Sequence, residues 1–198
     1  MNEQKIYRPL DIRSGFNHRL FYQDFIEQEE FWDGPGLDGL YICAADNHLE
    51  NRLITSKGVP FELYFGEKDN LFGDGQTISV NAETDELHFL GFSRFGDMGL
   101  KISLRTKDGQ EQKINVHLRD CAFDCYDDGW FTVLMPEYEK IERVARYVTS
   151  GRNRQDFYLF DRACCLPHSC EIAEMCISDN ILTHILAVTI RTDKINKN

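Results

Sequence analysis

The sequence predicts an all-β fold, an antiparallel sandwich or barrel, on three observations. Two six-residue runs alternate apolar and polar residues without a slip: Leu100-Lys101-Ile102-Ser103-Leu104-Arg105 and Ile114-Asn115-Val116-His117-Leu118-Arg119. Alternation of period two puts Leu100, Ile102 and Leu104 on one face and the charges on the other. Between the runs lies Thr106-Lys107-Asp108-Gly109-Gln110, whose Asp-Gly pair predicts left-handed backbone in a tight hairpin turn. Finally, short apolar segments recur along the chain, separated by clusters of Gly, Asp and Asn, a spacing that fits hairpins and not βαβ units.

Further strands are expected near 39–43, 59–65, 76–80, 86–93, 130–135, 142–148, 156–161, 170–177 and 182–191. Their breaks fall at Asp69-Asn70, Gly73-Asp74-Gly75, Gly96-Asp97, Asp127-Asp128-Gly129 and Ser178-Asp179-Asn180. One helix is expected over Arg19–Phe31, where Leu20, Phe21 and Phe25 share a face. With 198 residues, no repeat and no linker-like tract, the chain reads as a single domain over 1–198.

Composition limits the function. The net charge of -11 repels phosphate backbones, which argues against nucleic acid as a partner. No Lys or Arg lies between Arg19 and Arg52, while eight Asp and Glu do. No apolar run approaches the roughly 20 residues of a membrane helix, so no membrane association is expected. The first residues contain no apolar signal region, and seven cysteines are an odd number. Reduced thiols in a cytoplasmic setting are therefore expected, several of them packed as small apolar groups.

Gly58-Val59-Pro60-Phe61, Asp69-Asn70, Asp74-Gly75-Gln76-Thr77-Ile78 and Leu87-His88-Phe89-Leu90-Gly91 follow one another in order. Asp108-Gly109, Val116-x-Leu118-x-Asp120 and the closing run His184–Ile190 come after them, and Phe31–Gly39 forms a Gly/Asp-rich opening. In this succession the chain resembles the β-sandwich modules appended to bacterial carbohydrate-active enzymes, such as arabinofuranosidase- and fucosidase-type glycoside hydrolases. The resemblance implies a galactose-binding-like jelly-roll sandwich with an accessory, sugar-related role. Such modules share no catalytic constellation, so the resemblance transfers no active site.

Motif by motif, metal and nucleophile chemistry finds little support. Cys164-Cys165-x-x-His168-x-Cys170 with Cys176 gathers thiols and an imidazole. It lacks the tight Cys-x2–4-Cys knuckle of structural zinc, and adjacent Cys164 and Cys165 point to opposite faces of a strand. His88 and His184 read as core or hydrogen-bonded strand residues, since neither sits in a His-x-His or His-Glu-x-x-His pattern. No cofactor is expected. Asp33–Asp38 and Asp69 with Asp74 offer loop oxygens that suit a structural calcium, with plain turn formation as the alternative. Arg143, Arg146, Arg152 and Arg154 cluster around Ser150-Gly151 as an anion patch or a solvated loop. Gly34-x-Gly36-x-x-Gly39 spells a dinucleotide fingerprint but follows no strand.

Three functions remain open. The first is a non-catalytic carbohydrate-binding or carbohydrate-associated protein. The second is an intracellular enzyme on a small sugar, using loop carboxylates such as Asp33, Asp74 and Asp127. The third is an interaction or assembly subunit that pairs with another protein or with itself as a homo-oligomer. For the first, rings stack on sugar C–H faces and carboxylates accept hydroxyl hydrogen bonds, and binding residues concentrate on loops. Trp32, Asp74, Asp127 and Trp130 are the residues expected to border one saccharide site at the end of the sandwich.

Overall fold

The computed structural model describes residues 5–24, 41–49, 52–122, 141–150 and 154–192. An eight-stranded antiparallel sheet dominates them, its main path running β1 (Ile6–Leu10), β12 (Asn180–Thr192), β7 (Thr77–Ser93), β11 (Asp156–Ile177), β8 (Met98–Thr106) and β9 (Glu111–Leu118). β6 (Leu71–Gly73) pairs with β12, and β10 (Ile141–Val148) with β11. Two small sheets complete the fold: β2 (Phe21–Tyr22) with β3 (Ile42–Cys43), and β4 (Leu53–Ser56) with β5 (Val59–Glu62). The expected all-β class is observed. Its only α-helix among the described residues is the four-residue α1 (Ala44–Asn47), and none there is long and apolar enough to cross a membrane.

The sandwich is one sheet folded over itself. Strands expected at 76–80 and 86–93 are the two halves of β7, and those at 156–161 and 170–177 the two ends of β11. What reads as a break in sequence is a bulge. Val80 and Asn81 together oppose Ala173, with Asn81 left-handed at φ 48°, and Leu166–Ser169 bulge out opposite Asp85. Pro167, which has no N–H to give a ladder, is accommodated in that second bulge.

β7 and β11 thus pass through two limbs. In the outer limb, the first half of β7 and the second half of β11 join β8 and β9; in the inner limb, their other halves join β12, β1 and β10. A core that includes Ile78, Leu87, Phe89, Leu100, Ile102, Val116, Met175 and Val188 fills the space between the limbs. The inner limb buries its other face as well: Leu90, Phe92, Leu159 and Leu186 pack with Phe21, Ile42, Val59 and Phe61 of the small sheets.

The predicted 100–119 hairpin forms, with Leu104 opposite Gln112 and Leu100 opposite Val116. Its turn differs in one respect. Gly109 alone is left-handed (φ 86°), its N–H donating to Thr106 O at 3.0 Å while Thr106 N–H donates to Gln110 O at 2.9 Å. This is a β-turn followed by a left-handed glycine, the three-residue hairpin loop, so Asp108 needs no positive φ. The two-residue loop with both central residues left-handed occurs instead at Lys57-Gly58 (φ 46° and 88°), joining β4 to β5.

The helix expected from Arg19 does not begin there. Leu20 and Phe21 donate their backbone N–H groups to the Asp69 carboxylate at 2.8 and 2.9 Å, and Phe21–Tyr22 pairs in parallel with Ile42–Cys43. A long-range carboxylate outcompetes a local helical pattern that has no cap of its own. The rest of that expected helix, and the strand expected at 130–135, lie outside the described residues.

Candidate functional site

Two segments far apart in sequence face each other across an open groove of about 750 Å³, lined by Asp11, Arg13, Ser14, Phe16, Tyr64, Glu67, Lys68 and Ser79. One wall follows β1 and includes the 3-10 turn Arg13–Gly15, anchored by buried Ile12. The other follows β5, and Ser79 comes from β7. The walls are tied at their base by a short antiparallel bridge. Asn17 and His18 donate backbone N–H groups to Asn70 O at 3.2 Å each, and Asp69 donates to His18 O at 2.9 Å. The Asn17 amide adds two bonds to the Phe72 backbone, at 3.0 and 3.2 Å.

Within the groove, Arg13 is held as a fork on Asp11. Its Nε donates to Oδ1 at 2.8 Å and its second guanidinium nitrogen to Oδ2 at 2.5 Å, while the Arg13 backbone N–H also reaches Oδ1 at 3.1 Å. Those side-chain and backbone hydrogen bonds lower the Asp11 pKa to about 2, so it is ionised across the physiological range. The guanidinium carbon of Arg13 lies 5.5 Å from the Tyr64 ring centroid, and the Phe16 ring 6.2 Å from it. Gly66 makes room for the Tyr64 ring: a Cβ there would sit 2.5 Å from Cε1.

Beneath the groove lies a buried polar network. The Asn70 amide donates to Asp69 at 2.8 Å; its nitrogen lies 3.0 Å from His18 Nδ1 and its oxygen 2.9 Å from His184 Nδ1. His18 Nδ1 also lies 3.2 Å from the Asn70 oxygen, while its buried Nε2 has no hydrogen-bond partner among the described residues. Burial holds both imidazoles neutral, lowering His18 to about 4 and His184 well below its ordinary value. Burial raises Asp69 to about 6 against the pull of its three donors. His184 stacks on Phe92 at 4.5 Å, inside the fold.

A second buried cluster sits on the inner limb. His88 lies between two carboxylates, with Nδ1 2.9 Å from Asp161 and Nε2 3.0 Å from Glu86. Burial opposes its charge, but the hydrogen bonds and charges of Asp161 and Glu86 prevail and raise its pKa. Arg191 bridges Asp85 and Glu86, Lys5 reaches Glu86 at 3.3 Å, and Tyr7 O–H donates to Glu86 at 3.5 Å. Both ring nitrogens are engaged, and the His88, Glu86 and Asp161 side chains are only 7%, 9% and 5% exposed. The cluster cross-links β1, β7, β11 and β12 and offers no free base to a bound substrate.

Of the residues expected to border the saccharide site, Asp74 stands exposed on the turn between β6 and β7, where its N–H donates to Gln76 at 2.9 Å. Trp32, Asp127 and Trp130 lie outside the described residues, as does Asp33. Asp69, a calcium-ligand candidate by sequence, is buried on backbone N–H groups. Among the described residues no group of His, Cys, Asp and Glu is arranged to hold a metal ion. Cys164 is buried and Cys165 exposed, the opposite faces their adjacency implies. Arg146 pairs with Asp156 at 2.7 Å and Arg154 with Asp46 at 2.9 Å, which neutralises much of the basic patch. Asp11, Arg13 and Tyr64 were not singled out from sequence. Compared with protein-family models and with curated proteins, the chain matches none.

Proposed function

We propose that this chain is a non-catalytic carbohydrate-binding protein, with the saccharide seated in the groove between residues 11–16 and 64–68. The observation that carries this reading is the company of the Tyr64 ring. A locked Asp11–Arg13 pair, the Ser14 and Ser79 hydroxyls and the Phe16 ring line one cavity with it. A sugar needs an apolar surface for its C–H face and planar polar groups for its hydroxyls, and pockets of about 300–1,000 Å³ suit small ligands. The resemblance to sandwich modules of carbohydrate-active enzymes points the same way. Free thiols at Cys43 and Cys121, both buried, and at exposed Cys165 fit a reducing, cytoplasmic setting.

Binding of a glycan panel to the intact chain, followed by calorimetry on the best ligand, tests the proposal. Tyr64→Ala should weaken that binding at least tenfold while the melting temperature stays near wild type. Equal binding by the variant would remove the groove from consideration.

A further inference from the structure

The groove carries balanced charge: Asp11 and Glu67 against Arg13 and Lys68. The Nε/Nη fork of its one guanidinium is already closed. Asp11 takes two of the side-chain donors of Arg13 and its backbone N–H, and it lies only two residues away. A carboxylate tethered that closely competes at an effective concentration on the order of millimolar or above. An incoming acidic sugar finds that fork taken, is left with the outer Arg13 N–H groups and Lys68, and meets the Asp11 and Glu67 carboxylates there. The -11 charge of the whole chain adds a general repulsion. A neutral pyranose meets neither obstacle, since the outer lone pairs of Asp11 and the remaining Arg13 N–H groups suit hydroxyl partners.

We propose that Asp11 is a specificity-determining residue: by occupying the Arg13 fork it makes the groove select neutral sugars and reject uronates. The inference rests on the saccharide reading of this groove. Because the Asp11 carboxylate stays ionised down to about pH 2, the selection should persist at every physiological pH.

The experiment titrates the intact chain with methyl galactoside and methyl glucoside and with the same sugars oxidised at C6 to uronates. Binding is followed on the NMR signals of the Arg13 Nε–H and the Tyr64 ring. In wild type a neutral sugar should bind at least tenfold more tightly than its uronate. Asp11→Asn, which frees the fork, should bring the ratio to unity or reverse it. Adding Arg13→Gln to that variant should abolish the gained uronate binding. The side chains of Asp11 and Arg13 are 60% and 59% exposed, so the fold should tolerate both changes, with unchanged melting as the control. A uronate that binds wild type as tightly as its neutral parent, or a ratio that Asp11→Asn leaves unmoved, overturns the inference while the groove remains a sugar site. A folded wild type that binds neither sugar overturns both.

Discussion

The two limbs of the folded sheet are built from the same two long strands, yet they bury different amounts of themselves. Along β7, Thr77–Thr84 alternates exposed and buried at every residue, whereas Glu86–Ser93 is buried throughout. The outer limb therefore has one wet face and one dry face, and its sequence alternates. The central strands of the inner limb are dry on both faces, covered on one side by the shared core and on the other by the small sheets. A strand so placed has no reason to alternate, and Leu87-His88-Phe89-Leu90 does not. Polar side chains within it must find partners inside the protein, which is why the buried histidine clusters belong to this limb and not to the other.

The largest expected effect separates the limbs directly. Phe89 and Leu90 are neighbours on β7, buried in different cores. Phe89→Ala should cost about 3–5 kcal/mol and Leu90→Ala about 2–5, measured by chemical denaturation. In the outer limb the corresponding pair should split: Ile102→Ala costs about 2–5 kcal/mol, and exposed Lys101→Ala stays within about 0.5. Two large losses in the outer pair would erase the distinction.

Next comes the charge within the inner limb. His88→Gln leaves Glu86 and Asp161 buried with one fewer cation, a change of about 3 kcal/mol. Its pH signature has a definite sign. Because folding raises the pKa of His88 from 6.5, its stabilisation is complete below pH 6.5 and is lost as pH rises through the raised value. His18 acts in the reverse sense: its stabilisation is present above pH 6.5 and fades as pH falls toward about 4. Asp69, raised from 3.8 to about 6, partly offsets that acid loss, since burying its protonated form costs less. Denaturation midpoints from pH 4 to 9 should therefore decline on the alkaline side in wild type and stay flatter there in His88→Gln. An alkaline decline of the same size in the variant would assign it to another group.

The smallest effect tests the outer limb at its tip. Gly109→Ala forces a Cβ into left-handed backbone and should lower stability by roughly 1 kcal/mol. Asp108→Asn, at a position without that demand, should leave melting within a degree or two. If Asp108→Asn is the costlier change, the turn has been misassigned.

How much the sequence reveals follows the same division. The β8–β9 hairpin and its facing were readable, though not its turn type, because one face meets water and the other does not. The continuity of β7 and β11 was not, because Asn81 and Leu166–Ser169 carry turn-like residues that here sit in bulges. Phe21–Tyr22 was misread as helical because its backbone is held by Asp69, 48 positions away from Phe21, and no local pattern encodes that bond. The groove was missed for a similar reason. Asp11-x-Arg13 and Tyr64-x-Gly66 are ordinary in isolation, and only the His18–Asn70 bridge brings them together. A glycine two places after an aromatic residue and beside a Glu-Lys pair was the one local sign of a ring laid against backbone.

One pairing bears on how the molecule can be joined to others. β1 and β12 run side by side at the sheet edge, with Ile6 opposite Thr192. Both ends of the described fold therefore leave from one corner, some 5 Å apart as strand neighbours are. A short tether from Thr192 to Ile6, with the backbone opened at the exposed Lys107–Gly109 turn, would preserve every ladder of the sheet. By the same geometry the domain can be spliced into a loop of a host protein as a plug, entering and leaving through a single gap.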